Sequence, residues 1–186
     1  MARTKLLSPA EEPVTLPAVV RRQARAGDIE ALIELDRVCF GRRAWSVRAW
    51  WEVVTFPEWT TVVLAGRGAV IATSVLLPAA PVSWLASLAV HPAWRRRGLA
   101  RLLLHDALAR ARDASARWLS LEVDRVNRVA VQLYRKEGFG PLRRFREEGR
   151  WRHEMLRRLG GRHRVRLGAG NRRGRVAARA AASVLM

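Results

Sequence analysis

Arg95-Arg96-Arg97-Gly98-Leu99-Ala100 is the stretch of this chain whose residue types and spacing most directly suggest chemistry. It follows the apolar run Ser87-Leu88-Ala89-Val90, closed by His91-Pro92, and precedes a leucine-rich segment with helical spacing from Leu102 to Ala111. A glycine and an alanine two positions apart let the backbone turn sharply and approach a ligand that a larger side chain would block. The N–H groups that open a helix lack internal partners and point outward; with the arginines they make an anion site. The chemistry is that of a phosphate cradle built from backbone. The competing reading is an ordinary strand-to-helix turn in an arginine-rich chain. Cys39, the single cysteine, has no cluster of ligands or bases around it in sequence and is expected as a small buried residue. No metal site is expected.

A cradle of this kind needs a strand before it and a helix after it, and the chain supplies both within a longer alternation. Residues 1–18 read as a loose leader, broken by Pro9, Pro13 and Pro17 and carrying Glu11 and Glu12 where a signal peptide needs an apolar core. Val19 to Ala24 reads as a strand. Asp28 is expected to cap a helix with Ile29, Leu32, Ile33, Leu35 and Val38 at helical spacing, and Ser46 to cap a second through Trp50, Trp51 and Val54. Thr60–Leu64 and Ala69–Leu77 are expected strands around Gly66-Arg67-Gly68, and Val82–Val90 a third. The cradle helix should end near Ala114, followed by a strand over Trp118–Val123. Asn127 is placed as the cap of a helix from Arg128 to Glu137, with Gly138 in the left-handed position after it. Phe139–Phe145 and Trp151–Leu159 complete the set. The pattern implies one mixed α/β sheet with helices on its faces, over residues 19–159.

The 186 residues suit one domain with a real core. The net charge of +19 makes an anionic partner a fair first expectation. That charge is almost wholly arginine, the only lysines being Lys5 and Lys136, which is also what GC-rich coding produces and so weakens the partner argument. A single cysteine excludes an internal disulfide and suits a reducing cytoplasm. The stretch 68–94 carries no charged residue and is long enough to cross a bilayer. Pro78 and Pro81 sit in its middle and β-branched residues dominate its first half, so two buried strands fit better than a membrane helix. Residues 160–186 combine many arginines with no acidic residue and are expected to be disordered, either as a contact to ribosomal or other RNA or as a solvated extension.

Arg95-x-x-Gly98-x-Ala100 resembles the Q/R-x-x-G-x-G/A pyrophosphate loop of the GNAT superfamily of N-acetyltransferases, in its expected place between strand and helix. Leu121-Glu122-Val123, Asn127, Leu133-Tyr134 and Gly138-Phe139 resemble, in order and spacing, the L-E-V, N, L-Y and G-F series of the RimI-type ribosomal-protein alanine N-acetyltransferases. Ala44-Trp45-Ser46 resembles that group's entry to its second helix. The resemblance implies a GNAT-like fold, with a mostly antiparallel mixed sheet and helices on both faces. It also implies acetyl-CoA as co-substrate and the N-terminus of a protein, ribosomal in the RimI case, as acceptor. Residue by residue, it gives Leu88, Ala89 and Val90 main-chain contacts to the acetyl and pantetheine part. Arg96, Arg97, Gly98, Leu99, Ala100 and Arg101 fall on the pyrophosphate, Asn127 on the pantetheine arm, Glu122 on the general base and Tyr134 on the general acid.

Those roles agree with elementary chemistry. An ammonium must lose a proton before it attacks, a carboxylate can take that proton, and a phenol can protonate the departing thiolate. Each residue also has a plainer reading: Glu122 as an arginine partner at a strand end, Tyr134 as core, Asn127 as a helix cap and His91 as structural. One departure bears on the acceptor. RimI-type proteins carry R-R-x-Y-Y between the last two strands, whereas here Arg143-Arg144-Phe145 is followed by Arg146-Glu147-Glu148. The alternatives are a GNAT enzyme for a small-molecule amine and an RNA-binding protein with a degenerate acyltransferase domain.

Overall fold

The computed structural model of the protein describes residues 19–66 and 68–160. The expectations for the leader, and for the arginine-rich segment beyond Gly160, fall outside them. Seven strands form one sheet: β1 (Val19–Gln23), β2 (Thr60–Gly66), β3 (Ala69–Leu77), β4 (Val82–Val90), β5 (Trp118–Asp124), β6 (Gly140–Glu147) and β7 (Arg150–Arg158). Four α-helices accompany them: α1 (Ile29–Phe40), α2 (Val47–Thr55), α3 (Leu99–Asp113) and α4 (Arg128–Lys136). The strand order is β1-β2-β3-β4-β5-β7-β6. Every neighbouring pair is antiparallel except β4 and β5, which α3 joins by a crossover. The uncharged stretch 68–94 is therefore the β3–β4 pair. No helix among the described residues is long and apolar enough to cross a membrane.

Alternation along the central strands sends side chains to two cores. On one face Leu32 of α1 and Trp50 and Val53 of α2 pack on Val63 and Val75. On the other, Leu104 and Leu108 of α3 and Val131 and Tyr134 of α4 pack on Leu85, Leu119, Leu121 and Met155. Side chains such as Trp50 and Leu104, removed entirely from water, each contribute about 1.5–3 kcal/mol of burial free energy.

The caps decide where the helices begin. The Ser46 hydroxyl accepts the Ala49 N–H at 3.2 Å, as the sequence pattern requires. Asp28 behaves differently: it has helical dihedrals and makes no side-chain cap to α1. Its carboxylate instead accepts the Arg25 N–H at 2.8 Å and the Arg22 guanidinium at 2.6 and 2.7 Å, closing a short 3₁₀ turn that leads into α1. The Arg22 hydrogen bond holds the Asp28 carboxyl below its ordinary range. The expected α1 cap is thus displaced by one turn, because an acidic residue already inside helical backbone cannot reach the first free N–H groups. His91 is structural, its Nδ1 accepting the Ala93 N–H at 3.3 Å.

Candidate active site

β4 and β5 are paired only over Val82–Leu85 and Trp118–Leu121. Beyond that point the strands part, and the cause lies on the other side of β4. Val75 faces Ser87 while Leu76 faces Leu85, so Ala86 is an extra residue that bends β4 away from β5. A cleft of about 1550 Å³ opens in the gap. The His91 N–H donates to the Ile71 carbonyl at 2.9 Å, and this fixes the alternation of the ladder. The main-chain groups of Ala89 turn towards β3, while those of Leu88 and Val90 turn into the gap. The Val90 carbonyl is already held by Arg95 Nε at 3.1 Å and Cys39 Sγ at 3.4 Å, so its N–H is what Val90 offers a ligand.

The cradle lies at the mouth of this gap. Gly98 has φ +79 and stands just before α3, and a Cβ built on it would meet no atom within 4 Å. The turn is therefore open around Gly98. Arg96 is left-handed as well, at φ +64. The first intrahelical bond of α3 is Leu102 N–H to Gly98 carbonyl, which leaves the N–H groups of Leu99, Ala100 and Arg101 without intrahelical partners at the positive end of the helix dipole. These features fit a pyrophosphate. Arg96, Gly98, Leu99, Ala100 and Arg101 all line the cleft. Arg97 is not among the lining residues: its guanidinium lies over the Trp94 ring, 5.2 Å from the centroid. Arg101 also reaches Glu137 at 2.7 Å, and with His105 it ties α3 to the end of α4. Desolvation by burial opposes ionisation of Glu137, but those two partners outweigh it and leave its carboxyl below the ordinary range.

Glu122, Asn127 and Tyr134 line the same cleft. Glu122 is on β5 just past the last pairing with β4, and β7 brings Arg152 to 3.4 Å from its carboxylate. The plain reading of Glu122 as an arginine partner thus agrees with the geometry, and the same carboxylate lines the cleft. The same Arg152 also pairs closely with Glu147. Asn127 caps α4, its side-chain oxygen accepting the Ala130 N–H at 3.2 Å, so only its amide NH₂ is left for a ligand. Tyr134 is 7% exposed, packs 5.8 Å from the Phe139 ring, and is core and cleft wall together. Burial pushes its phenol up to about 12, which keeps it protonated over the whole neutral range.

Two cleft residues have roles the sequence reading did not give them. Asp36 is 1% exposed and accepts the Trp45 N–H at 2.5 Å and the Trp50 indole N–H at 3.3 Å, fixing the α1–α2 loop at the rim. Burial raises its carboxyl above the ordinary range. Asp36→Ala is expected to lose about 2–4 kcal/mol of stability, measured by urea unfolding, because two buried donors lose their acceptor. Cys39 is half-buried on the cleft wall rather than fully enclosed. Burial pushes its thiol up, so it stays a thiol and no nucleophile at neutral pH.

The Acetyltransferase (GNAT) family profile matches residues 29–139, which span α1, the cleft, the cradle and α4. The chain belongs to this family, a class of N-acetyltransferases that take acetyl-CoA as donor. Among solved structures it is similar to the ribosomal-protein-S18-alanine N-acetyltransferase from Escherichia coli, with a TM-score of 0.71 and 19% identity over 80% of this chain and all of that one. It is also similar to NAA60 from Arabidopsis thaliana in complex with acetyl-CoA, with a TM-score of 0.69 and 17% identity over 77% of this chain and all of that one. At such identities the likeness is one of fold. In sequence, 82 residues (44% of this chain) are 40% identical to mycothiol acetyltransferase of Thermobifida fusca (strain YX), and the match spans 23% of that relative's length.

Proposed function

We propose that the protein moves the acetyl group of acetyl-CoA directly to a primary amine, and that the amine is the N-terminal α-amine of a protein, of the ribosomal-protein alanine type. One observation carries the reading: β5 and α4 bring Glu122 and Tyr134 to the walls of a single gap whose mouth is the Arg96–Arg101 cradle. In this reading the free N–H groups of α3 and the Gly98 turn hold the pyrophosphate, and the Asn127 amide and the Leu88 backbone hold the pantetheine arm. Glu122 takes the ammonium proton, directly or through a water, since an α-amine with a pKa just under about 8 is largely protonated at neutral pH. The Val90 N–H, turned into the gap, stabilises the oxyanion. Tyr134 meets the departing sulfur. The intact pairing of carboxylate, phenol and cradle speaks against a degenerate, purely RNA-binding role.

The cleft supports a polypeptide acceptor because both the α1–α2 loop, at Arg42–Ser46, and the β6–β7 turn, at Glu147 and Glu148, reach its rim. A second reading, acetylation of a small-molecule amine, is favoured by the segment shared with mycothiol acetyltransferase and by Glu147-Glu148 in place of an aromatic pair. The deciding experiment offers the enzyme acetyl-CoA with alanine-starting peptides, the same peptides blocked at the N-terminus, polyamines and aminoglycosides. Turnover confined to the free peptides is the expected result, and turnover confined to the small amines moves the assignment to the second reading. A free thiol at Cys39 suits the cytoplasmic setting proposed with it. On a verified acceptor, Glu122→Gln should lower kcat/KM by about 10- to 100-fold, less than loss of the acid, because bulk water can still accept a proton from an amine of that pKa.

A further inference from the structure

On the sheet face opposite Glu122, at the far end of β7, lies a second concavity of about 110 Å³, lined by Arg125, Arg144, Trp151, Arg152 and His153. Alternation along β7 puts Trp151, His153 and the core residue Met155 on one face, and Arg152 and Glu154 on the other. The Arg152 guanidinium is engaged with Glu122 and Glu147 on that other face. The cations of the concavity are therefore Arg125, which leaves β5, and Arg144, paired in register with His153 from β6. Arg135 of α4 lies near enough to act on the His153 ring as well. Among the described residues, no carboxylate pairs with Arg125, Arg135 or Arg144, although acidic partners are taken up by Arg22, Arg43, Arg101, Arg143 and Arg150.

The second observation is independent of the charges. The Nδ1 atom of His153 is buried and has no hydrogen-bond partner among the described residues. Buried polar atoms in native proteins are almost always paired, so the orphan Nδ1 marks a place where a hydrogen-bonding partner belongs, and the two uncompensated guanidiniums beside it favour an anion. Guanidinium forks suit the oxygens of a tetrahedral anion, and an imidazole N–H completes the set. We propose that this concavity is a binding site for one phosphate group, held by Arg125, Arg144 and His153 and separate from the acetyl-CoA cleft. Its volume suits a single terminal phosphate, free or as a monoester, rather than a length of nucleic-acid backbone. Burial, then Arg144, Arg135 and Arg125, hold the His153 ring below its ordinary pKa, so it is neutral at pH 7 and presents either tautomer at Nδ1. An anion seated there must raise that pKa by offsetting the three arginines.

The experiment is an NMR titration of the histidine ring protons in the full-length protein at constant ionic strength, with His153→Gln identifying the resonance. Inorganic phosphate should raise the His153 midpoint by about one pH unit where chloride does not. Arg125→Gln and Arg144→Gln, both at exposed positions, should weaken phosphate binding about tenfold each. Glycerol phosphate matching inorganic phosphate identifies a monoester site, and free phosphate acting alone identifies an ion site; either supports the proposal. It is overturned if phosphate leaves His153 unmoved, if both arginine variants respond as the parent does, or if only single-stranded RNA shifts the resonance. It is equally overturned if coenzyme A alone produces the shift and removes the phosphate response, since the pocket would then belong to the donor site.

Discussion

Tyr134→Phe is expected to reduce kcat by about 10²- to 10³-fold, the usual worth of one hydrogen bond to charge that develops in the transition state, while leaving the Kd for acetyl-CoA unchanged. The ring is core, enclosed with Phe139, Val131 and Leu121, and phenylalanine preserves that packing. What the change removes is one hydroxyl on the cleft wall. Its chemistry is constrained by burial: a phenol near 12 is about three to four units less acidic than an ordinary thiol, so full proton transfer to a thiolate is uphill. In the proposed role, Tyr134 therefore works by hydrogen-bonding the sulfur as charge develops. The pH–rate profile should show no loss from Tyr134 ionisation below about pH 11, and Tyr134→Phe should scale the profile down without moving its limbs. A second consequence follows from linkage. Between pH 10 and 12 the phenol ionises in the unfolded chain but stays protonated in the folded one, so stability falls as pH rises through that window. Tyr134→Phe should flatten this alkaline decline in a series of urea melts. An unchanged kcat, on an acceptor that the parent enzyme turns over, would falsify the assignment of Tyr134.

Gly98→Glu is expected to weaken acetyl-CoA binding by about 100-fold or more, roughly 3 kcal/mol, by isothermal titration. Two effects combine. Gly98 has φ +79, a conformation that costs an L-residue about 1 kcal/mol or more. A side chain there meets no protein atom within 4 Å, so it projects into open space that the pyrophosphate occupies in the proposed reading, and a carboxylate adds repulsion against it. Gly98→Ala separates the terms, since it carries the backbone cost without the charge. It should lower stability slightly and affinity by much less than the glutamate does. Equal acetyl-CoA affinity in parent and Gly98→Glu would remove the cradle from the site.

Most of the fold is legible in the sequence because its elements are locally specified. Ala69–Leu77 and Val82–Val90 coincide with β3 and β4, flanked as they are by glycine and proline, and Asn127 and Gly138 bracket α4 as capping chemistry requires. What local pattern cannot carry is the partner across the sheet. β7 inserts between β5 and β6, and this places Arg152 against Glu122 and His153 beside Arg144, contacts that no spacing along the chain foretells. Arg97 differs from its neighbours only by the turn's geometry, which points it at Trp94. Asp36 did leave a signal. It stands seven residues after Ile29 on the stripe of Leu32 and Ile33, where an apolar side chain belongs, and a carboxylate on a core stripe implies buried donors such as the Trp45 and Trp50 N–H groups.

The short ladder between β4 and β5 has a mechanical meaning. Its four register pairs, with the Arg117 and Trp118 N–H groups donating to the Pro81 carbonyl at one end, join a four-stranded plate (β1–β4) to a three-stranded one (β5, β7, β6), with α3 as the covalent strap between them. A ligand that bonds to β4 on one side of the gap and to α4 on the other works as additional rungs, stapling the plates along the edge where the protein left them apart. In the proposed reading, substrate binding is a tensile reinforcement as much as a recognition event. Amide protons of Leu88, Val90 and the first turn of α4 should gain hydrogen-exchange protection together when acetyl-CoA is present, and the two plates should part last along the edge the ligand has sewn.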